Sequence, residues 1–514
     1  MNQAKSFNRF QSIFWPIHRY ELKKFLPMSL LMLFMLLVNT MIRDLKFVFI
    51  QTKAHLWLNA PPAASSNLIG AAGLWFMLPA MFFVVMIFTL LVNKFGSNKT
   101  FYILISSFAL FFAIFGFILF PNIEKLLMSS ETITHIQSKL PSFLNILQPV
   151  IVCIGNWPYI LFYVVSEVWG TMAIASLFWQ FANKITLSTE ITRFFAMFSV
   201  IGQVGVLCSG TTLRAMSRVD KSLAPEVAMK IFDRNVILLM AGVVLACLII
   251  MLIYYCINKY VLTDPRLYVQ HKEEPKKPQH KVKLTEGLQV AMRSSYLRLL
   301  LVIIFSVGLA MDLSVLSWEV QLKTLYPTPN QYGEIKGNLS IVIGITTIIF
   351  MFVSTNLLMR LKWKTCASLP PLVYFVFGVP FFILVLYSHF TGNKTFLGLD
   401  ILQLTVILGF IVVCLAKSVK YSLADTTRNM VYGQLNDNEK VKGQAAVEVI
   451  GGRLGRFCGS VLQQVLVTAV SAGSSLAEHY PVISVIFLST IVGWITAVFR
   501  LSPKYEKSVL ENKK

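Results

Sequence analysis

The chain has 514 residues, of which 56% are hydrophobic and 14% charged, with a mean hydropathy of +0.66. Soluble domains carry about a quarter charged residues, so composition excludes a soluble enzyme or binding module and points to a polytopic membrane protein. The 46 Lys and Arg against 24 Asp and Glu give a net charge of +22. Spread over many short loops, that excess sets nucleic acid aside as a partner and fits loop topology and an anionic solute.

A helix that crosses a bilayer needs about 20 apolar residues. Twelve such spans are predicted, at 25–45, 68–93, 101–120, 147–180, 191–211, 235–257, 297–318, 338–359, 367–388, 399–424, 443–471 and 480–500. A polar tail, 1–24, precedes them and a second, 501–514, follows. The fourth span is too long for one straight crossing: its early part, 142–152, is expected along the interface, or Pro158 kinks it. Residues 258–296, with His271-Lys272-Glu273-Glu274-Pro275-Lys276-Lys277-Pro278, read as a solvated linker between a first half, 25–257, and a second, 297–500. Lys and Arg concentrate in the loops that share a side with the N-terminus, which predicts that both termini and the linker are cytoplasmic. No cleavable signal or Arg- and Ser-rich presequence is visible, which favours a bacterial inner membrane over an organelle.

The halves carry a weak repeat. Glu190-Ile-Thr-Arg193 with Ala196 and Val200-Ile201-Gly202 aligns with Glu439-Lys-Val-Lys442 with Ala445 and Val449-Ile450-Gly451, and both copies open a span. The expected fold class is therefore an all-α polytopic membrane protein, with about twelve transmembrane helices in two six-helix halves, similar to the major facilitator fold. Substrate in such a fold sits at the midplane between the halves.

In such a carrier the first, fourth, seventh and tenth helices line the cavity by analogy, and here each holds ionisable residues. The first has Arg43, Asp44 and Lys46; the fourth has Glu167; the seventh ends with Asp312 and Glu319; the tenth has Lys417, Lys420 and Asp425, followed by Arg428. A charge at mid-membrane costs about 3 kcal/mol on insertion scales, so such residues normally face a wet cavity or a partner. Arg43 and Lys46 lie three apart, as do Lys417 and Lys420, with Tyr421 beside Lys417. Two basic pairs on two cavity helices predict a clamp on a polyphosphate, for which Arg acts bidentately and Lys as a point charge. Glu167 is a candidate to partner a basic residue, to accept a hydrogen bond from a nucleobase or ribose, or to carry a proton, and Asp44 and Asp312 are candidates for coupling or gating. Cys153, Cys208, Cys247, Cys256, Cys366, Cys414 and Cys458 are scattered, so neither a disulfide framework nor a metal site is expected. No P-loop, kinase set or Rossmann fingerprint is present, so no cofactor and no hydrolysis are expected.

Several motifs together resemble the bacterial and plastid-type ATP/ADP translocases over about residues 14 to 500. They are Trp15-Pro16-Ile17-His18, Tyr20-Glu21-Leu22-Lys23-Lys24, Asn39, Arg43-Asp44-x-Lys46, Asn156-Trp157, Glu167-x-Trp169-Gly170, Phe178-Trp179-x-Phe181-Ala182-Asn183, Trp318-x-x-Gln321-Leu322-Lys323 and Lys417-Ser418-x-Lys420-Tyr421. The resemblance implies nucleotides as transported solutes, with ATP exchanged for ADP across the membrane of an intracellular bacterium. It implies Lys46, Glu167 and Arg428 at family site positions, with Asn156 among the candidates. The chain departs from the family pattern at Phe47, Gln180, Lys184, Val315, Arg428 and Gln444. Such departures leave a proton-coupled symporter or uniporter of other nucleotides, or of a nucleotide-derived cofactor, as the alternative.

Overall fold

The computed structural model describes residues 15–54, 68–141, 147–187, 190–220, 222–264, 292–391, 395–396, 398–435 and 479–511, with isolated positions elsewhere. Among them, ten helices are long and apolar enough to cross a membrane. One of these, Leu68–Leu126, holds two of the expected spans. It breaks at Gly96, whose φ of 74° is a left-handed conformation that favours glycine. The chain turns back there. Asn98, just beyond it, accepts a hydrogen bond from Tyr254 near the end of the sixth span. Leu68 and Phe120, at its two ends, touch Cys153 and Phe49 respectively. The expected eleventh span, 443–471, and most of the linker fall outside the described residues, as does the second copy of the repeat around Glu439.

The remaining spans run Arg19–Lys53 (first), Trp157–Ile185 (fourth), Arg193–Ser217 (fifth), Pro225–Val261 (sixth), Ser295–Leu325 (seventh), Pro329–Arg360 (eighth), Trp363–Thr391 (ninth), Ile401–Tyr432 (tenth) and Tyr480–Glu511 (twelfth). Most extend one to three turns beyond the apolar windows, because a polar or charged turn continues the helix once a partner compensates it. Starts are set locally. Ser294, Thr328 and Asp400 accept hydrogen bonds from the first turns of the seventh, eighth and tenth spans, satisfying amides that the helix leaves unpaired. The one described sheet element is a two-residue ladder, Thr395–Phe396 with Leu399–Asp400, just before the tenth span.

The fourth span is resolved by a break at Asn156. A short helix, Gln148–Gly155, ends there, and Trp157 opens a new one. Pro158 lies in that first turn, where a missing amide costs nothing, so it starts a helix and does not kink one.

Small residues bring the spans into backbone contact. A side chain at Gly205 in the fifth span would meet the Leu33 carbonyl of the first. One at Gly337 in the eighth would lie 2.6 Å from the Arg214 amide of the fifth. The eighth span thus packs against the fifth, and also against the first and sixth. Its first turns face the end of the fifth span and the start of the sixth: Gly333 abuts Ser217, Arg218 just past the fifth pairs with Glu334 at 2.9 Å, and Asn330 donates to the Ala228 carbonyl of the sixth. The halves are therefore closed together at the face where the first span ends, called here the distal face.

Gly337→Ala should cost about 1–3 kcal/mol by overpacking this joint, measured as a lower melting temperature in detergent. Gly242→Ala, with nothing within 4 Å of the added carbon, should leave the melting temperature unchanged.

Candidate functional site

The first span brings three consecutive chemistries to one level. Lys46 forms an ion pair with Glu167 of the fourth span. Its ammonium also sits 4.5 Å from the centroid of the Tyr163 ring and 4.9 Å from that of Phe47. The fourth span is held in this register by the Trp169 indole, which donates to the Met35 carbonyl. It is held also by Gly170, whose lack of a side chain admits Asn39.

Asp44 faces the other way, into the second half. Ser340 of the eighth span donates to it at 2.5 Å, and the Lys336 ammonium is 4.0 Å away. Arg43 reaches the same carboxylate at 3.8 Å. Lys336 makes a closer bond, 2.7 Å, to Glu319 of the seventh span, which also accepts from the Tyr332 hydroxyl. The Lys336 ammonium lies 4.5 Å from the Phe47 centroid. Lys417 of the tenth span is buried within electrostatic reach of Arg43, Asp44, Lys336 and Glu319.

A second group lies further along the tenth span. Lys420 and Arg428 converge on the single carboxylate of Asp425, at 3.3 and 3.2 Å, and Lys420 lies over the Tyr421 ring. The geometry depends on a π-helical turn, Lys420–Ala424. In a regular helix residues five apart diverge, whereas a turn with i→i+5 bonding puts Lys420 and Asp425 on one face.

The expected candidates are thus divided. Arg43 and Asp44 join Lys417 at the contact between halves, Lys46 joins Glu167 within the first half, and Lys420, Tyr421 and Arg428 form a separate patch around Asp425. Lys417 and Lys420, expected as one basic pair, differ in setting: Lys417 is buried and Lys420 half-buried. Asn156 is buried at the helix break, donating to the Val152 carbonyl. Asp312 lies where the seventh span meets Gly459. Lys336 escaped the sequence because the apolar window of its span begins two residues later. The one available signal was its setting between Gly333 and Gly337. Glu319 was visible on the seventh span, but its partner was not.

Two further pairs fasten the opposite end of the first span. Lys24 bonds Glu190 at 2.7 Å and Arg193 bonds Glu21 at 2.8 Å. No metal-holding cluster of His, Cys, Asp and Glu occurs among the described residues.

A family model described as TLC ATP/ADP transporter matches residues 1–505. ADP,ATP carrier protein 1 of Chlamydia trachomatis is 34% identical over 501 residues, covering 97% of this chain and 92% of the relative. ADP,ATP carrier protein 1 of Rickettsia prowazekii is 32% identical over 519 residues, covering all of both chains. Among solved structures, a POT family transporter aligns with a TM-score of 0.56 at 11% identity, over 96% of this chain and 98% of its own. The D-xylose–proton symporter aligns with a TM-score of 0.53 at 14% identity, over 92% and 97%. At these identities the likeness is one of fold alone, in keeping with the expected major-facilitator-like arrangement.

Lys24→Met would strand the buried Glu190 carboxylate and should cost about 3–5 kcal/mol, read as a large loss of thermal stability. Because this pair lies about six helical turns from Lys46 along the first span, the apparent KM for solute of the surviving folded protein should be unchanged in liposome uptake.

Proposed function

The chain belongs to the TLC ATP/ADP transporter family, and from that premise we propose that it exchanges ATP for ADP across a bacterial inner membrane. It does so by alternating access, as a carrier and without hydrolysis, with both termini in the cytoplasm. The observation that carries this reading is the state of five ionised side chains within spans. Arg43, Glu167, Lys420, Asp425 and Arg428 are each between 24 and 29% exposed. Groups merely packed into a helix bundle would be buried. Groups facing lipid would be too costly to keep charged. Partial exposure next to a partner is the condition of a charge lining a wet space between helices.

The chemistry of that space suits a nucleotide. Lys420 and Arg428 share one carboxylate, so an entering phosphate competes with Asp425 for two cations. The guanidinium offers it a bidentate fork. Glu167 holds Lys46 until phosphate arrives and then accepts hydrogen bonds from ribose or base, while Tyr163 and Tyr421 offer ring faces.

Charge also explains exchange. An empty site full of cations crosses between states slowly, since each separated buried ion is costly. Bound nucleotide cancels that charge and lowers the barrier, so traffic is coupled in both directions.

Uptake of labelled ATP into liposomes should rise at least tenfold when ADP is trapped inside and should ignore an uncoupler. Equal rates with and without internal ADP would overturn exchange, and collapse with the uncoupler would favour proton symport. Arg428→Ala and Lys420→Ala should each raise the apparent KM for ATP by about tenfold or more, the worth of one charged hydrogen bond. A panel of unlabelled nucleotides competing against labelled ATP fixes the base and the number of phosphates.

A further inference from the structure

We propose that Asp44, Ser340, Lys336 and Glu319 form a partner-exchange latch that closes the distal face and releases it at low cost. The inference rests on the alternating-access reading and adds the positioning residues that set the balance between its states. Across the halves, Asp44 of the first span takes the Ser340 hydroxyl at 2.5 Å and the Lys336 ammonium at 4.0 Å. Within the halves, each ion has a second partner already in place. Arg43 is 3.8 Å from Asp44, and Glu319 is 2.7 Å from Lys336.

When the distal face opens, the first half withdraws Asp44 with Arg43, and the second half withdraws Lys336 with Glu319. Each half leaves carrying a paired acid and base. Breaking a buried pair outright would strand an uncompensated ion and cost several kcal/mol, too much for a step that recurs in every cycle. Among the described residues, the one direct hydrogen bond lost across the halves at this cluster is that of Ser340. The Phe47 ring completes the joint: it is in the first half, yet Lys336 of the second lies 4.5 Å from its centroid. Such a contact is weak compared with an ion pair, so it too yields readily.

The four residues therefore act in opposite senses. Asp44 and Ser340 hold the halves together. Glu319 draws Lys336 away from Asp44 and so favours opening. Loss of Glu319 leaves Lys336 committed to Asp44 and tightens the latch.

The test uses full-length protein in liposomes, with spin labels on bioorthogonal side chains at Lys125 and His389. Both positions are exposed and lie near the distal ends of the third and ninth spans, and the native cysteines remain. Pulsed distance measurements without nucleotide should show the distal-open population raised by Asp44→Asn and by Ser340→Ala. The Ser340→Ala ratio should change on the order of tenfold, the worth of one hydrogen bond to a charged group. Glu319→Gln should lower that population below the parent's. Ser340→Ala leaves every charge in place, so it keeps the test intact if a charge variant fails to fold. Shifts of one sign in Asp44→Asn and Glu319→Gln, or no shift in Ser340→Ala, would overturn the latch; a purely structural role would lower stability in all three without opposed shifts. If neither ADP nor any variant moves the parent's distances while uptake persists, the alternating-access reading itself fails.

Discussion

An ion deep in a membrane protein has to bring its counter-ion with it, and that constraint organises this molecule. Three of the buried lysines, Lys24, Lys46 and Lys336, each sit against a carboxylate, from Glu190, Glu167 and Glu319. Each pair joins two different spans: first to fifth, first to fourth, and eighth to seventh. Pairing therefore decides which helices are neighbours and at what height, where apolar packing alone would tolerate sliding. Small residues then allow the approach. Gly205, Gly337 and Gly170 let the backbones come close enough for short side chains such as Asp44 and Ser340 to meet.

The same constraint makes a carrier out of a bundle. Pairs such as Lys24–Glu190 and Arg193–Glu21 are enclosed within one half and never need to part. Pairs at the boundary between halves must part in each cycle, so each member needs somewhere to go. Asp44 and Lys336 satisfy this; on the proposed mechanism the group around Asp425, all on the tenth span, undergoes the same exchange when a phosphate replaces the carboxylate as the partner of Lys420 and Arg428. Binding and conformational change are then two forms of one event, an exchange of counter-ions. A nucleotide shifts the equilibrium between states by as much as its charge matches one state better than the other.

Much of this was legible in the sequence. Hydropathy located the described spans to within a few turns, and charge on the first, seventh and tenth spans marked residues that meet where the halves touch. The limits were physical. Hydropathy sees apolar windows, so it ended the first, seventh and eighth spans short of Lys53, Leu325 and Pro329, where partners in other helices extend them. Lys336 lay in such a discarded turn. Regular helical spacing also assumed 3.6 residues per turn, which grouped Lys417 with Lys420. The π-helical turn from Lys420 to Ala424 instead couples Lys420 to Asp425, and no local propensity announces it. Asn156 illustrates the converse: its motif was visible, while its place at a helix break came only from the fold.

Phe47 shows why the kind of contact matters as much as its position. Its ring is approached by two ammonium groups, Lys46 at 4.9 Å from the same half and Lys336 at 4.5 Å from the other. A carboxylate here would compete with Glu319 for Lys336. A ring attracts a cation by about 1–2 kcal/mol when desolvated, enough to offset part of the repulsion between the two lysines and too little to hold the joint shut. It also adds no negative charge to the space where a polyphosphate must enter. On the proposed mechanism, the residue that departs from the surrounding acidic and basic pattern thus leaves the closed state reversible and the site electropositive.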